Sequence, residues 1–332
     1  MPPVPKPALS NTSPADSSLA STSLASTSLT MSPADWTLLL VLSVLWGGSF
    51  YFAKIAVREI PPLTLALGRV AIAALALMII ARAMATPFPR DRGTWRDFTV
   101  MAVLNNVVPF TLIFWGQMYI SIGLASILNA TSPLFGVLVA HFLTQDDRLN
   151  AGRMVGLIAG FVGVVVLIGP DLLTELGANV LAELALLASS VFYAFGAVYS
   201  RRARALPPIM VATGQLTMST ALLVPLVLVF DRPSVVLSAS SAAIWAMVAI
   251  ALLSSALAYL IYFRIIARSG ATNALLVTFL IPVSTILLGL VLLDETLEMH
   301  QLVGMAAIFL GLAAIDGRPV RFIARNFRRT VS

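Results

Sequence analysis

One stretch of this chain, Asn129–Gly169, occurs twice. It reads NATSPLFGVLVAHFLTQDDRLNAGRMVGLIAGFVGVVVLIG, and its echo, Thr278–Gly317, reads TFLIPVSTILLGLVLLDETLEMHQLVGMAAIFLGLAAIDG. In each copy a proline stands inside an apolar run and an acid follows: Asp147 lies 14 residues after Pro133, and Glu295 lies 13 after Pro282. Two glycines then fall 9 and 16 residues past the acid, at Gly156 and Gly163 in one copy and Gly304 and Gly311 in the other. Apolar runs imitate one another easily, whereas polar residues and glycines in shared register do not. The chain is therefore read as two copies of one module.

The module belongs in a membrane. Hydrophobic residues make up 59% of the chain and charged residues 11%, against about 25% charge in a soluble domain. A soluble fold could not hide that much apolar surface, so the expected class is an all-α integral membrane protein in contact with the lipid bilayer. The absence of cysteine excludes disulfides, thiolate metal sites and a thiol nucleophile. Two histidines, His141 and His300, cannot make a zinc site by themselves. Neither a metal nor another cofactor is expected. The net charge of +6 would suggest nucleic acid in a soluble protein, but here the arginines flank hydrophobic spans, where they set orientation. No nucleic-acid partner is expected.

A span needs about 20 apolar residues, and ten are predicted: Trp36–Val57, Pro62–Ala81, Phe98–Ile120, Gly123–Phe142, Ala151–Gly169, Ala178–Ser200, Pro208–Phe230, Ala242–Ile266, Ala271–Leu293 and Met299–Ile315. With the amino terminus in the cytoplasm, seventeen Lys and Arg fall inside and three outside, namely Lys54, Arg58 and Arg232; Arg69 lies within a span. That bias supports both the count and the orientation. It predicts two cytoplasmic termini in a plasma membrane, the bacterial inner membrane.

Five spans per half is an odd number, so the second module must insert inverted relative to the first. A second pair of anchors agrees. PPLTLALGR (Pro61–Arg69) opens the second span and PPIMVATGQ (Pro207–Gln215) the seventh, with prolines and glycine in register. The domain plan is a Ser/Thr/Pro/Ala-rich N-terminal extension, 1–33, expected to be disordered; repeats over 34–170 and 171–317; and a basic cytoplasmic tail, 318–332. Met31, just before the first span, is a natural start residue, and the segment before it is read as dispensable.

The WGGSF run at Trp46–Phe50, Arg69, and the two blocks with proline, acid and spaced glycines resemble EamA-type members of the drug/metabolite transporter superfamily. The resemblance covers about residues 35–316. The family pattern has Glu where Asp147 stands, and Trp46-Gly47 is answered in the second half by Tyr193-Ala194. The resemblance implies ten transmembrane helices in two inverted five-helix repeats. It also implies a central cavity between the first, third, fourth, sixth, eighth and ninth helices, with the fifth and tenth peripheral. The activity implied is export of small metabolites, often amino acids.

Polar side chains in hydrocarbon are costly unless they pair or face a cavity. The candidate substrate-binding residues are therefore those near span midpoints: Trp46, Asn105, Asn106, Asn129, Ser132, Tyr193, Ser254, Ser255, Tyr259 and Thr278. Hydrogen-bonded glue between helices is the alternative use of such residues. Of the adjacent Asn105 and Asn106, one at most is expected to point inward. Pro133 and Pro282 are candidate gating residues, each freeing a carbonyl one turn earlier, at Asn129 and Thr278. The stripe Gly152, Gly156, Gly160 suits close helix packing within the bundle, with a homodimer seam as the other use. Arg69 could meet a substrate carboxylate, but the reading preferred here is an arginine that snorkels to the interface or bonds backbone carbonyls.

No acid is expected mid-membrane, which argues against a proton relay and against a dedicated cation site. The expected activity is secondary transport of neutral or zwitterionic small molecules such as amino acids. A drug or cationic-compound exporter is the alternative. An intramembrane enzyme is disfavoured because no HExxH, catalytic cysteine or Ser-His partnership is present.

Overall fold

The structure, a computed structural model, describes residues 31–143, 151–168 and 177–316. Most of the predicted N-terminal extension, Asp147 and the basic tail lie outside the described residues. Within them every regular element is helical. The helices are α1 Pro33–Ala56, α2 Pro62–Ala83, α3 Arg92–Gly116 and α4 Ile122–Leu143, α5 Ala151–Ile168, α6 Ala178–Tyr199, α7 Pro208–Phe230, α8 Ser241–Ser269, α9 Val277–Leu292 and α10 Met299–Asp316.

Seven of these, α1 to α4 and α6 to α8, are long and apolar enough to cross a bilayer; α5, α9 and α10 are shorter apolar helices. Where the sequence predicts one span over Ala271–Leu293, the structure has a turn of helix at Ala271–Ala274, a break, and then α9. At α5 and α10 the described residues stop beside undescribed ones. The chain is a multi-pass membrane protein whose outer faces carry Val41, Val44, Leu75, Ile79, Leu228 and Leu310 exposed. Such a surface suits lipid and not water.

Local chemistry sets the helix ends. Ser32 and Asp35 form a capping box at α1. Pro62 and Pro208 stand at the first positions of α2 and α7, where a missing N–H costs nothing. Gly270, at φ +83°, stops α8. α4 is not the single predicted rod: it breaks at Ala130–Thr131. Thr131 and Ser132 turn their hydroxyls back onto the carbonyls of Leu128 and Asn129, both at 2.6 Å, and Pro133 cannot supply an N–H.

α3 and α8 share a feature absent from the sequence reading. Each carries a π-helical turn, at Val103–Val107 and Leu252–Leu257. The two turns start 149 positions apart, the same offset that separates Pro133 from Pro282. The predicted midpoint pairs, Asn105-Asn106 and Ser254-Ser255, lie inside them.

The helices pack in a pattern that maps onto itself when the halves are exchanged. α1 lies on α8 and α9 as α6 lies on α3 and α4, and α2 touches α8 as α7 touches α3. α2 packs on α7, and α5 on α10. The α5–α10 contact is antiparallel and reciprocal: Gly156 faces Gly311 while Gly163 faces Gly304. A Cβ on Gly156 would lie 2.6 Å from the Gly311 carbonyl oxygen, and one on Gly304 would lie 2.7 Å from that of Gly163. Gly156, Gly160 and Gly163 of α5 are thus occupied inside the chain, while Gly152 is exposed. Their spacing, read in the sequence as shared punctuation, is what lets two backbones touch.

Candidate functional site

The polar centre is built where α2 and α7 meet the π turns. Gly68 of α2 leaves room for Met247 of α8, and its counterpart Gly214 of α7 leaves room for Phe98 of α3. Phe98 and Met247 are again 149 positions apart. One residue past each glycine, the side chain reaches the neighbouring π turn. Arg69 donates from Nε to the Ser255 hydroxyl at 3.0 Å. Gln215 accepts from the Asn105 amide at 3.3 Å. Each lies seven residues into its helix, about 10 Å along it.

Arg69 departs from its expected placement. It does not reach for the interface or for backbone carbonyls; it is buried, 8% exposed, among α2, α3, α6 and α8. Its guanidinium carbon lies 3.8 Å from the centroid of the Phe110 ring, with Phe114 at 5.9 Å. The phenols of Tyr193 and Tyr259 are within Coulombic reach. No carboxylate of the described residues is within ion-pair distance. The signal was in the sequence: the two nine-residue anchors align Arg69 with Gln215. Both lie short of their span midpoints, which is why the sequence alone points first to other residues.

The candidate residues do not converge on one point. Ser255 bonds Arg69, and the phenols of Tyr193 and Tyr259 lie within its electrostatic reach. Asn105 sits over Gly196 and donates to Gln215 and, at 3.4 Å, to Ser200. Asn106 donates to Ser219 at 3.0 Å, leaving its Oδ1 buried and unpartnered. Both amides therefore engage α7. Neighbours on an ordinary α turn diverge by about 100°; the widened turn brings them closer.

The remaining candidates lie between α1, α4, α6, α8 and α9. Trp46 is half-buried with its ring 5.3 Å from that of Tyr262, and Ser254 donates to the Leu45 carbonyl at 2.6 Å. The Asn129 carbonyl, freed by Pro133, accepts from Ser132 and from Ser190 of α6, while Asn129 Oδ1 is buried without a partner. Thr278 is half-buried near the start of α9, and Pro282 is buried inside that helix. The two prolines thus play unlike local parts, one at a break and one within a continuous helix.

Carboxylates close the ends of the bundle, and each one named here ties one half to the other. At the end where α1 finishes, Glu59 accepts from the Ser240 N–H and hydroxyl at 2.6 and 2.7 Å. Asp231 accepts from Thr64, and Glu295 accepts from the Ile122 N–H at 2.9 Å. Beside Glu295, Lys54 donates to the carbonyls of Gln117 and Ile120, both at 2.8 Å. The Ser240 bonds hold the Glu59 carboxyl below its ordinary range. At the other end Asp35 pairs with Arg268 at 2.7 Å, and Asp97 accepts from the Tyr199 phenol at 2.8 Å.

The profile of the EamA-like transporter family matches this chain twice, over residues 36–169 and 180–315. The uncharacterized transporter YoaV of Bacillus subtilis is 21% identical over 276 residues, 82% of this chain and 94% of that one. YvbV of the same organism, also an uncharacterized transporter, is 28% identical over 282 residues, 84% and 90% of the two chains. A chloroplastic WAT1-related protein of Arabidopsis thaliana is 24% identical over 85% of this chain and 69% of its own length. A solved crystal structure superposes with a TM-score of 0.61 at 20% identity, covering 85% of this chain and 96% of its own; that likeness concerns the fold.

Proposed function

Because the chain belongs to the EamA-like transporter family, and is a membrane transporter on that ground, we propose that it is a secondary carrier that exports small neutral or zwitterionic metabolites, amino acids among them, by alternating access. Its ten helices act as two inverted five-helix repeats in a bacterial inner membrane, with both termini cytoplasmic.

The observation that carries this reading is the antiparallel, reciprocal contact of α5 with α10. Equivalent helices that run in opposite directions are related by an axis across them, which supports an axis in the plane of the bilayer. The exchange-symmetric packing of the other helices and the matched π turns support the same axis. Motion of one half against the other then exposes the polar centre to each face in turn. In and around that centre Trp46, Asn105, Asn106, Asn129, Ser132, Tyr193, Ser254, Ser255, Tyr259 and Thr278 receive the solute, and Pro133, beside the break in α4, and Pro282, within α9, gate it. The cationic-compound alternative is disfavoured by a buried cation, Arg69, at the centre.

Two measurements test this. The chain contains no cysteine, so a thiol placed at Arg90 or at Arg202 is a unique target. Both are expected to react with impermeant maleimide only from the cytoplasmic side; labelling on opposite sides removes the inverted repeat. In proteoliposomes, counterflow of one or more amino acids is expected, and transport of dications alone rejects the substrate class. Trp46→Ala and Asn106→Ala are expected to lower that counterflow at least tenfold with membrane expression unchanged.

A further inference from the structure

Resting on the carrier reading, we propose that Arg69 anchors an anion site and that the transported solute carries a carboxylate. A buried guanidinium costs several kcal/mol unless an anion or a full set of acceptors meets it. Arg69 has neither. Of its five N–H donors, the one on Nε is engaged by Ser255, and the terminal nitrogens donate to no described residue.

Nor are those nitrogens sealed in protein. Buried polar atoms without a partner do occur in the bundle, at Asn106 Oδ1, Gln117 Oε1 and Asn129 Oδ1, but the Arg69 nitrogens are not of that kind. They front a gap. The ring of Phe110 holds the guanidinium plane from below, and Ser255 fixes its edge. What remains free is the two-pronged edge that matches a carboxylate. Gln215, the counterpart of Arg69, offers no such opening, because its oxygen is engaged by Asn105. The bundle therefore has one charged station and one neutral station. Among the described residues Arg69 is the basic one farthest from a helix end, which suits a monoanion better than a doubly charged phosphate.

The test uses the full chain in proteoliposomes and two matched panels: the L-amino acids, and the corresponding amino-acid amides. The expected result is counterflow of one or more acids with little or none of the matching amide. For any acid that moves, Arg69→Gln is expected to raise KM about thirtyfold or more, and Arg69→Lys, which keeps charge but loses the fork, about tenfold with the maximal rate held. Elution volume and melting temperature of each variant in detergent report its folding. The anion site is overturned if amides move as well as acids through the unaltered protein, or if Arg69→Gln carries acids at the unaltered KM. The acid–amide comparison needs no variant, so a misfolded Arg69→Gln leaves the question decidable. If neither panel moves, the carrier of amino-acid-like solutes is itself rejected, and the site with it. If inorganic phosphate, tested beside them, moves alone, the carrier stands and the carboxylate falls.

Discussion

Replacing Gly311 by leucine should leave a chain that no longer survives extraction into mild detergent as a single species. A Cβ at that position would stand 2.5 Å from the Gly156 carbonyl oxygen and 2.6 Å from the Gly160 nitrogen. Both are backbone atoms of α5, so no rotamer change relieves the clash. An added side chain in a packed site costs about 1–3 kcal/mol, and a contact between two backbones belongs at or above the top of that range. Total stabilities are only about 5–15 kcal/mol. The melting temperature should fall steeply and the size-exclusion peak should broaden. Gly136→Leu is the control, since a Cβ there meets nothing within 4 Å. If Gly311→Leu melts and elutes like Gly136→Leu, α5 and α10 do not touch along their glycines.

The second large effect is expected at Glu295. Its carboxylate joins the start of α4 to the end of α9, beside the Lys54 ammonium. A hydrogen bond to a charged group is worth about 1.5–3 kcal/mol, or about ten- to a hundredfold in an equilibrium between closed and open forms of that end. Glu295→Leu removes it and leaves Lys54 without its neighbouring anion. A cysteine at Ser255 should then react with an impermeant thiol reagent at least tenfold faster from the side on which α1 ends. Unchanged reactivity, with the variant folded, would mean that Glu295 caps a helix and closes nothing.

Much of this molecule was legible in its residues, because the repeat is marked by groups that lipid does not tolerate at random. The glycines keep their spacing from the acid in both copies, and the proline comes within one residue of doing so. The same glycines turned out to be the α5–α10 seam. What was not legible has physical causes. A π turn leaves no signature: Asn-Asn in α3 and Ser-Ser in α8 share only polarity, yet both helices widen there. The break in α4 depends on the hydroxyls of Thr131 and Ser132 turning back on their own carbonyls, a choice that sequence leaves open. Arg69 was misjudged because an arginine a few turns from a span end can usually reach water. Here Phe110 of α3 and Ser255 of α8 hold it in the bundle, and Gly68 gives α8 room to approach.

The widened turns of α3 and α8 have a mechanical consequence. A rod that holds one surplus residue can hand it to the adjoining turn by trading one long-span hydrogen bond for one ordinary one, so that no bond is lost on balance. Each such step swivels the stretch it passes by about 100° and slides it about 1.5 Å. Both halves hold this surplus at the same rung, next to Arg69 in one and Gln215 in the other. The two rods can therefore trade rotations like a pair of matched ratchets, without either one having to unwind in oil.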